Sequence, residues 1–166
     1  MNVKSRHHLR ADAIDAIEDA LADGLGVELG ADTYEKVTFE DSDWEVVLVD
    51  GEPTVFYVPD DDSGGADDPF LTVRGANDHP PAENVVTVDA GAISFVSDGA
   101  DVMRPGITEA DESIAAGDLV VIAEENHGKV LAVGRARVDG AEMVGEEGKV
   151  VDTIHHVGDE LYEFAG

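Results

Sequence analysis

Residues 88–107 read VDAGAISFVSDGADVMRPGI, and the reading of the whole fold turns on this stretch. Its residues are mostly small or neutral, in a chain that carries 38 Asp and Glu against 10 Lys and Arg. Gly91, Gly99 and Gly106 remove Cβ atoms, so another molecule can approach the main chain closely and meet its N–H donors. Pro105 holds its φ angle and lowers the cost of ordering the loop. Ile107 reads as a core residue. Met103 reads equally as an apolar platform at a surface or as a plug at the end of a barrel. Arg104 is the one cation of the stretch, with a guanidinium suited to a bidentate phosphate contact or to stacking on a base.

The surroundings of this stretch are strongly acidic, with a net charge of −28 and a sequence pI near 4.1. Such a charge points toward disorder when apolar content is low. Here 43% of residues are hydrophobic and they come in patterned runs, so the chain is globular and its acid is spread over the surface. The surface resembles that of proteins from extreme halophiles. In about 1 M salt the Debye length falls to ~3 Å, which screens the self-repulsion, so net charge describes the solvent more than the partner. The fold is then expected to loosen as salt is withdrawn. With no cysteine, disulfides and thiolate metal sites are excluded. No apolar run approaches the roughly 20 residues of a membrane span, and the basic start MNVKSRHHLR lacks an apolar core for export. A soluble, cytoplasmic protein with no membrane partner is expected.

Upstream, Ile14, Ile17 and Leu21 recur at helical spacing and predict an amphipathic helix over 12–23, with Gly24 as its stop. YEKVTF (34–39), WEVVLVD (44–50) and PTVFYV (53–58) predict strands, the last two joined by a hairpin at Asp50-Gly51. DDDSGGADD (60–68) predicts a solvated loop, followed by a short strand at 70–73. Pro80-Pro81 marks a boundary between a domain at 1–80 and another at 84–164. Downstream, strands are expected at 85–88, 118–125 and 129–138, with a helical turn at 90–97 and a loop at 99–106. Asn126-His127-Gly128 turns the hairpin between the longer two strands. An apolar segment at 150–154 and an aromatic strand LYEF (161–164) complete the chain. The predicted architecture is an α+β N-terminal domain followed by a mostly β barrel.

No residue constellation marks a catalytic centre. No serine lies in G-x-S-x-G, and the glycines of GLGVELG (24–30) miss the dinucleotide fingerprint because Leu29 fills the third position. Carboxylate pairs are too numerous in this chain to single one out. The histidine pairs His7-His8 and His155-His156 lack metal-ligand spacing, so no metal or other cofactor is expected. One of His155 and His156 is expected to pack and the other to face solvent.

The opening stretch resembles the signature of the PUA domain, an RNA-binding module named for pseudouridine synthases and archaeosine transglycosylases. The matching features are Val88-Asp89, Gly91-Ala92, Gly99-Ala100, Met103 and Pro105-Gly106-Ile107. VVIAEENHGKVLAVGRARV (120–138) is similar to that domain's central hairpin, and the likeness runs over 84–164 as a PUA pseudo-barrel. The layout resembles the MCT-1 family and its archaeal relatives, on the basic RHHL segment near the start and the ending VVDTIHHVGDELYEF.

The resemblance implies a non-enzymatic RNA-binding protein of the translation apparatus, with tRNA or rRNA, the small ribosomal subunit and another translation factor as partners. The alternative is an accessory that presents tRNA to a separate modifying enzyme. The RNA-binding candidates are Gly91, Ala92, Gly99, Ala100, Met103, Arg104, Pro105 and Gly106, with Lys129, Arg135 and Arg137 as a phosphate-facing strip on one strand. Scattered surface ion pairs are the other reading of that strip. Lys4, Arg6, His7, His8 and Arg10 form a basic N-terminal patch that faces RNA or a protein partner.

Overall fold

The computed structural model describes residues 1–58 and 68–165. The chain opens on strand β1 (Val3–His8), which the sequence pattern did not announce because no side chain of it is buried. Helix α1 (Ala11–Leu25) follows, and it runs past Gly24 to end at Gly26. Leu25 extends the apolar face of Ile17 and Leu21 by one step and is fully buried, so burial carries the helix through Gly24. Gly26 then adopts the left-handed conformation, its N–H donating to the Ala22 carbonyl and the Val27 N–H to the Leu21 carbonyl.

Strands β2 (Tyr34–Phe39), β3 (Glu45–Val49), β4 (Glu52–Val58) and β5 (Asp68–Leu71) complete an antiparallel meander in the order β1-β2-β3-β4-β5. The β3–β4 hairpin turns at Asp50 and Gly51, both at positive φ. The acidic loop expected at 60–68 lies, apart from Asp68, outside the described residues. The strand expected at 70–73 starts earlier and ends at Leu71, because Thr72 caps helix α2 (Val73–Asp78) by accepting the Gly75 N–H at 2.9 Å.

Strand β6 (Val85–Val88) opens the second sheet. A 3-10 turn at Ala90–Ala92 leads into helix α3 (Ile93–Ser97), strand β7 (Val102–Met103), a second 3-10 turn at Arg104–Gly106 and strand β8 (Ile107–Ala110). Strands β9 (Leu119–Glu124), β10 (Val130–Ala136) and β11 (Lys149–His156) complete the order β7-β11-β10-β9-β6-β8, with β6 parallel to β9. This is the near-barrel of the expected C-terminal fold. The predicted aromatic strand at 161–164 is instead helix α4 (Glu160–Glu163). Asp159 caps it, accepting from Tyr162 N at 2.8 Å and, with its other oxygen, from His156 N at 2.9 Å.

Two apolar cores meet in one wall. Val120 and Ile122 of β9 point into the barrel with Val86, Val96, Val102 and Ile107. Leu119, Val121 and Ala123 of the same strand point outward and pack with α1, α2 and the first sheet. Successive side chains of a strand face opposite sides, so β9 is apolar throughout because both of its faces are covered.

Candidate nucleic-acid interface

A cleft of about 360 Å³ opens between the first 3-10 turn, α3, β7 and the second 3-10 turn. Gly91, Ala92, Ala100, Met103, Pro105 and Gly106 line it, so six of the sequence-predicted residues converge there. Its floor is apolar, with Val96 and Val102 shared with the barrel core. Its rim carries Met103 at 47% exposure and Phe95 at 66%. Ile107 packs in the barrel as its apolar character implies, whereas Met103 stays at the surface. Two carboxylates touch the cleft and both are engaged. Asp89 accepts from Ala92 N at 3.0 Å and caps the first turn. Asp101 pairs with Lys149 at 2.9 Å and accepts from Thr153 N at 2.9 Å, bonds that hold its carboxyl below the usual aspartate range. What remains for a ligand is an apolar slot with an aromatic ring and a thioether at its lip, suited to stacking on a flat, unpaired base.

Two of the three glycines also have a role within the chain. A Cβ on Gly99, which has φ +92°, would lie 2.7 Å from Nε2 of His156, so this glycine admits the histidine ring. A Cβ on Gly106 would meet the Ala92 methyl at 3.1 Å, so this one lets the two 3-10 turns close on each other. Chain-to-chain approach, more than approach by a ligand, is what these two positions require.

The PUA domain family profile matches residues 84–158. An uncharacterized protein of Methanocaldococcus jannaschii is 41% identical over 126 residues, covering 75% of this chain and 73% of its own length. Translation machinery-associated protein 20 of Saccharomyces cerevisiae is 38% identical over 93 residues, covering 52% of this chain and 51% of its own. The Malignant T-cell-amplified sequence 1 homolog of Drosophila melanogaster is 32% identical over 102 residues, 58% of this chain and 56% of its own. The chain thus aligns with only about half of each of these eukaryotic relatives. A conserved PUA domain protein of Thermoplasma acidophilum superposes with a TM-score of 0.79 at 30% identity, covering 95% of this chain and 97% of its own. The chain belongs to the MCT-1-like PUA-domain proteins.

The cations of the PUA domain are not arranged as one strip. Lys129 precedes β10 and Arg135 lies near its end, roughly 20 Å apart at about 3.3 Å per residue. Arg135 turns into the crevice toward α1 and β5, where Nη1 donates to the Gly117 carbonyl at 2.8 Å and Nη2 is buried without a hydrogen-bond partner among the described residues. Arg137 is exposed and pairs with Asp152 at 3.6 Å. Arg137 lies past the end of β10, so strand alternation does not fix its side: it pairs at the surface while Arg135 enters the crevice. Arg104 is also committed. Its Nε donates to the Glu142 carbonyl and its Nη1 to the Glu147 carbonyl, both at 2.9 Å, so it fastens the 142–148 loop beside the cleft.

The basic residues of the N-terminal patch sit on or beside β1, an edge strand exposed along its length. Arg6 bonds Glu35 through Nε at 2.6 Å and Arg10 lies 3.7 Å from Asp12, whereas Lys4 borders a shallow acidic hollow with Glu40, Asp41 and Asp43. His7 and His8 are exposed on the same strand.

One feature of the MCT-1-like fold was not read from sequence. In α3, Phe95 is out of phase with Ala92, Ile93 and Val96, which pack on the barrel, and that phase offset is the signal that places an aromatic ring outside. Of the two adjacent histidines, His155 is the one that packs, as expected of one of them. It is fully buried at the seam of the two sheets, edge-on to Phe56 and Trp44. Its Nε2 accepts the Val73 N–H at 3.1 Å, which leaves the proton on Nδ1 for the Asp159 carboxylate at 2.8 Å. Burial pushes the Asp159 carboxyl up, but the bonds from His155, His156 N and Tyr162 N outweigh it and hold the group below its ordinary range. His156 does not face open solvent either; it is half-buried against Gly99, with Nδ1 within 3.0 Å of the Ser97 carbonyl. Among the described residues, no group of three or more His, Asp or Glu is placed to hold a metal ion, and no helix is long and apolar enough to cross a membrane.

Proposed function

We propose that this protein is a non-enzymatic RNA-binding component of the translation apparatus, active in a salt-rich cytoplasm, which contacts tRNA or the small ribosomal subunit through its PUA domain. The observation that carries this reading is the apolar cleft, where the family motif assembles an exposed Phe95 and Met103 over a floor of small residues. Stacking and shape suit a chain with a net charge of −28, for which long-range attraction to phosphate is absent and counterion release is weak in concentrated salt. The name of the yeast relative supports a place in translation.

The test is sedimentation of cell lysate through a gradient in molar KCl, with the protein located against small subunits, whole ribosomes and tRNA-sized material. Co-migration with small subunits is expected, and a double substitution Phe95→Ala with Met103→Ala should weaken RNA binding roughly tenfold or more, as loss of base stacking does. Migration with tRNA and a modifying enzyme, clear of ribosomes, would favour the tRNA-presenting accessory instead. Protein found only at the top of the gradient, free of any RNA, would end both readings.

A further inference from the structure

A second groove, of about 410 Å³, lies where α2 meets the start of β10, on the seam between the two sheets. It is lined by Arg74 and Lys129, with Tyr162, Asn77, Thr54 and Glu52 among its walls. Arg74 is held through its guanidinium, and Lys129 through its backbone. The Arg74 guanidinium lies 4.6 Å from the centre of the Tyr162 ring, and its Nε donates to the Tyr162 carbonyl at 2.6 Å. That bond fixes the fork and leaves its terminal nitrogens to the groove. Lys129 is set by its neighbour: the Asn77 side chain accepts from Val130 N at 2.8 Å and donates to Val130 O at 3.1 Å, as a strand backbone would. Lys129 N also donates to the Glu124 carboxylate at 3.0 Å.

In a chain with 38 acidic residues, a cation without a carboxylate needs a reason. Arg6, Arg10, Lys36, Arg137 and Lys149 have one, Arg104 and Arg135 bond carbonyls instead, and Lys4 borders the acidic hollow. Among the described residues, neither Arg74 nor Lys129 has a carboxylate oxygen within the 4.0 Å of an ion pair, although Glu52 and Asp78 line the same groove. The two carboxylates repel a loosely held anion, so the groove favours a group that engages both cations at once.

We propose that this groove is an anion site that takes a phosphate group between the Arg74 guanidinium and the Lys129 ammonium. Its phosphate is a backbone phosphate of RNA bound elsewhere on the protein, an identification that rests on the RNA-binding function proposed above; phosphate binding as such does not rest on it. The groove is separate from the cleft, with no lining residue in common.

The experiment titrates inorganic pyrophosphate into isotope-labelled full-length protein at constant KCl and follows the Arg74 Nε–H and Lys129 backbone resonances by NMR. Saturable shifts at both are expected, and Lys129→Ala, a change at an exposed side chain, should abolish them while the remaining spectrum stays folded. Absence of saturable shifts at Arg74 in the unaltered protein, or their persistence in Lys129→Ala, overturns the site whether or not RNA binds. Bulk tRNA then tests the identification. Lys129→Ala should weaken tRNA binding roughly fivefold and reduce the salt slope by about one, the signature of a lost phosphate contact. If pyrophosphate binds but the unaltered protein takes up no tRNA, the RNA-binding function fails and the anion site stands. If tRNA binds equally to both proteins, the backbone-phosphate identification falls.

Discussion

Strands β1 and β9 are each six residues long, and they are opposites in every other respect. Every residue of β9 is buried and every residue of β1 is exposed. The difference lies in what covers them. β9 is the wall between two cores, flanked by β6 and β10 and covered on one face by the barrel interior and on the other by the first sheet with its helices. β1 has a partner on one side only and carries Lys4, Arg6, His7 and His8 where a core strand would carry valines. Such charge blunts an open edge against strand-to-strand aggregation. One strand therefore holds the molecule together, and the other presents its densest basic segment to solvent.

Cutting the same kind of side chain from each strand puts this contrast under the most severe test. Ile122→Ala in β9 leaves a void in the barrel and should cost about 2–5 kcal/mol. Val3→Ala in β1 should stay within about 0.5 kcal/mol, since Val3 is 48% exposed. Urea unfolding followed by circular dichroism compares the two, and equal midpoint losses would show that β1 contributes to a core not evident in its burial.

The seam behind β9 gives a somewhat smaller effect. His155→Ala strands the Val73 N–H and removes a donor from the Asp159 carboxylate, both at buried or half-buried positions, so a loss of about 2–3 kcal/mol is expected. Denaturant curves should shift without a second transition, because one apolar cluster runs through both sheets. A midpoint within error of the unaltered protein would mean that the seam rests on the Trp44 and Phe56 contacts alone.

The smallest effect is the response to acid. Glu124, whose carboxylate accepts from Lys129 N, His127 N and Asn126 N, is held below the ordinary glutamate range by those bonds against the cost of desolvation. Asp159, Asp101 and Asp111 are depressed likewise, Asp111 by the N–H groups of Ser113 and Asn84. A carboxylate with a lower pKa folded than unfolded stabilises the fold above its unfolded value and loses that contribution as pH falls through the folded one. Stability should therefore decline with acid from about pH 4 downward, where unfolded carboxylates begin to take protons first. These four lie on the C-terminal side of the chain, while Glu35 and Asp41, also held low, tie the β1 edge, so hydrogen exchange at low pH should rise at the β9–β10 turn, the α4 cap and β1, while exchange rising first in β3 and β4 would contradict the assignment.

The residues by themselves reveal whatever depends on neighbours along the chain. The period of Ile14, Ile17 and Leu21, the Asp50-Gly51 turn and the Asn126-His127-Gly128 turn are local signals, and each element lies close to its signal. The glycine-rich stretch at 88–107 is legible for the same reason: its small residues and its proline describe two tight turns that form the walls of one cleft. The end of α1 is not, because Leu25 is buried by partners outside the helix and that burial outweighs the stop signal at Gly24. LYEF reads as a strand from its aromatic residues, yet becomes a helix because Asp159 caps it, and Asp159 is itself held by His155.

Composition and local pattern alone determined that this chain folds with an acid-rich surface, carries a β-rich C-terminal half, and gathers small neutral residues at one place. Only the tertiary structure decided which cations are available. Arg104 and Arg135 spend hydrogen bonds on carbonyls 38 to 43 and 18 residues away, and Arg74 meets Tyr162 across 88 residues of chain. The charge of a side chain is written in its residue type, but its freedom to meet a ligand depends on which distant backbone and ring groups the packing of two sheets brings against it.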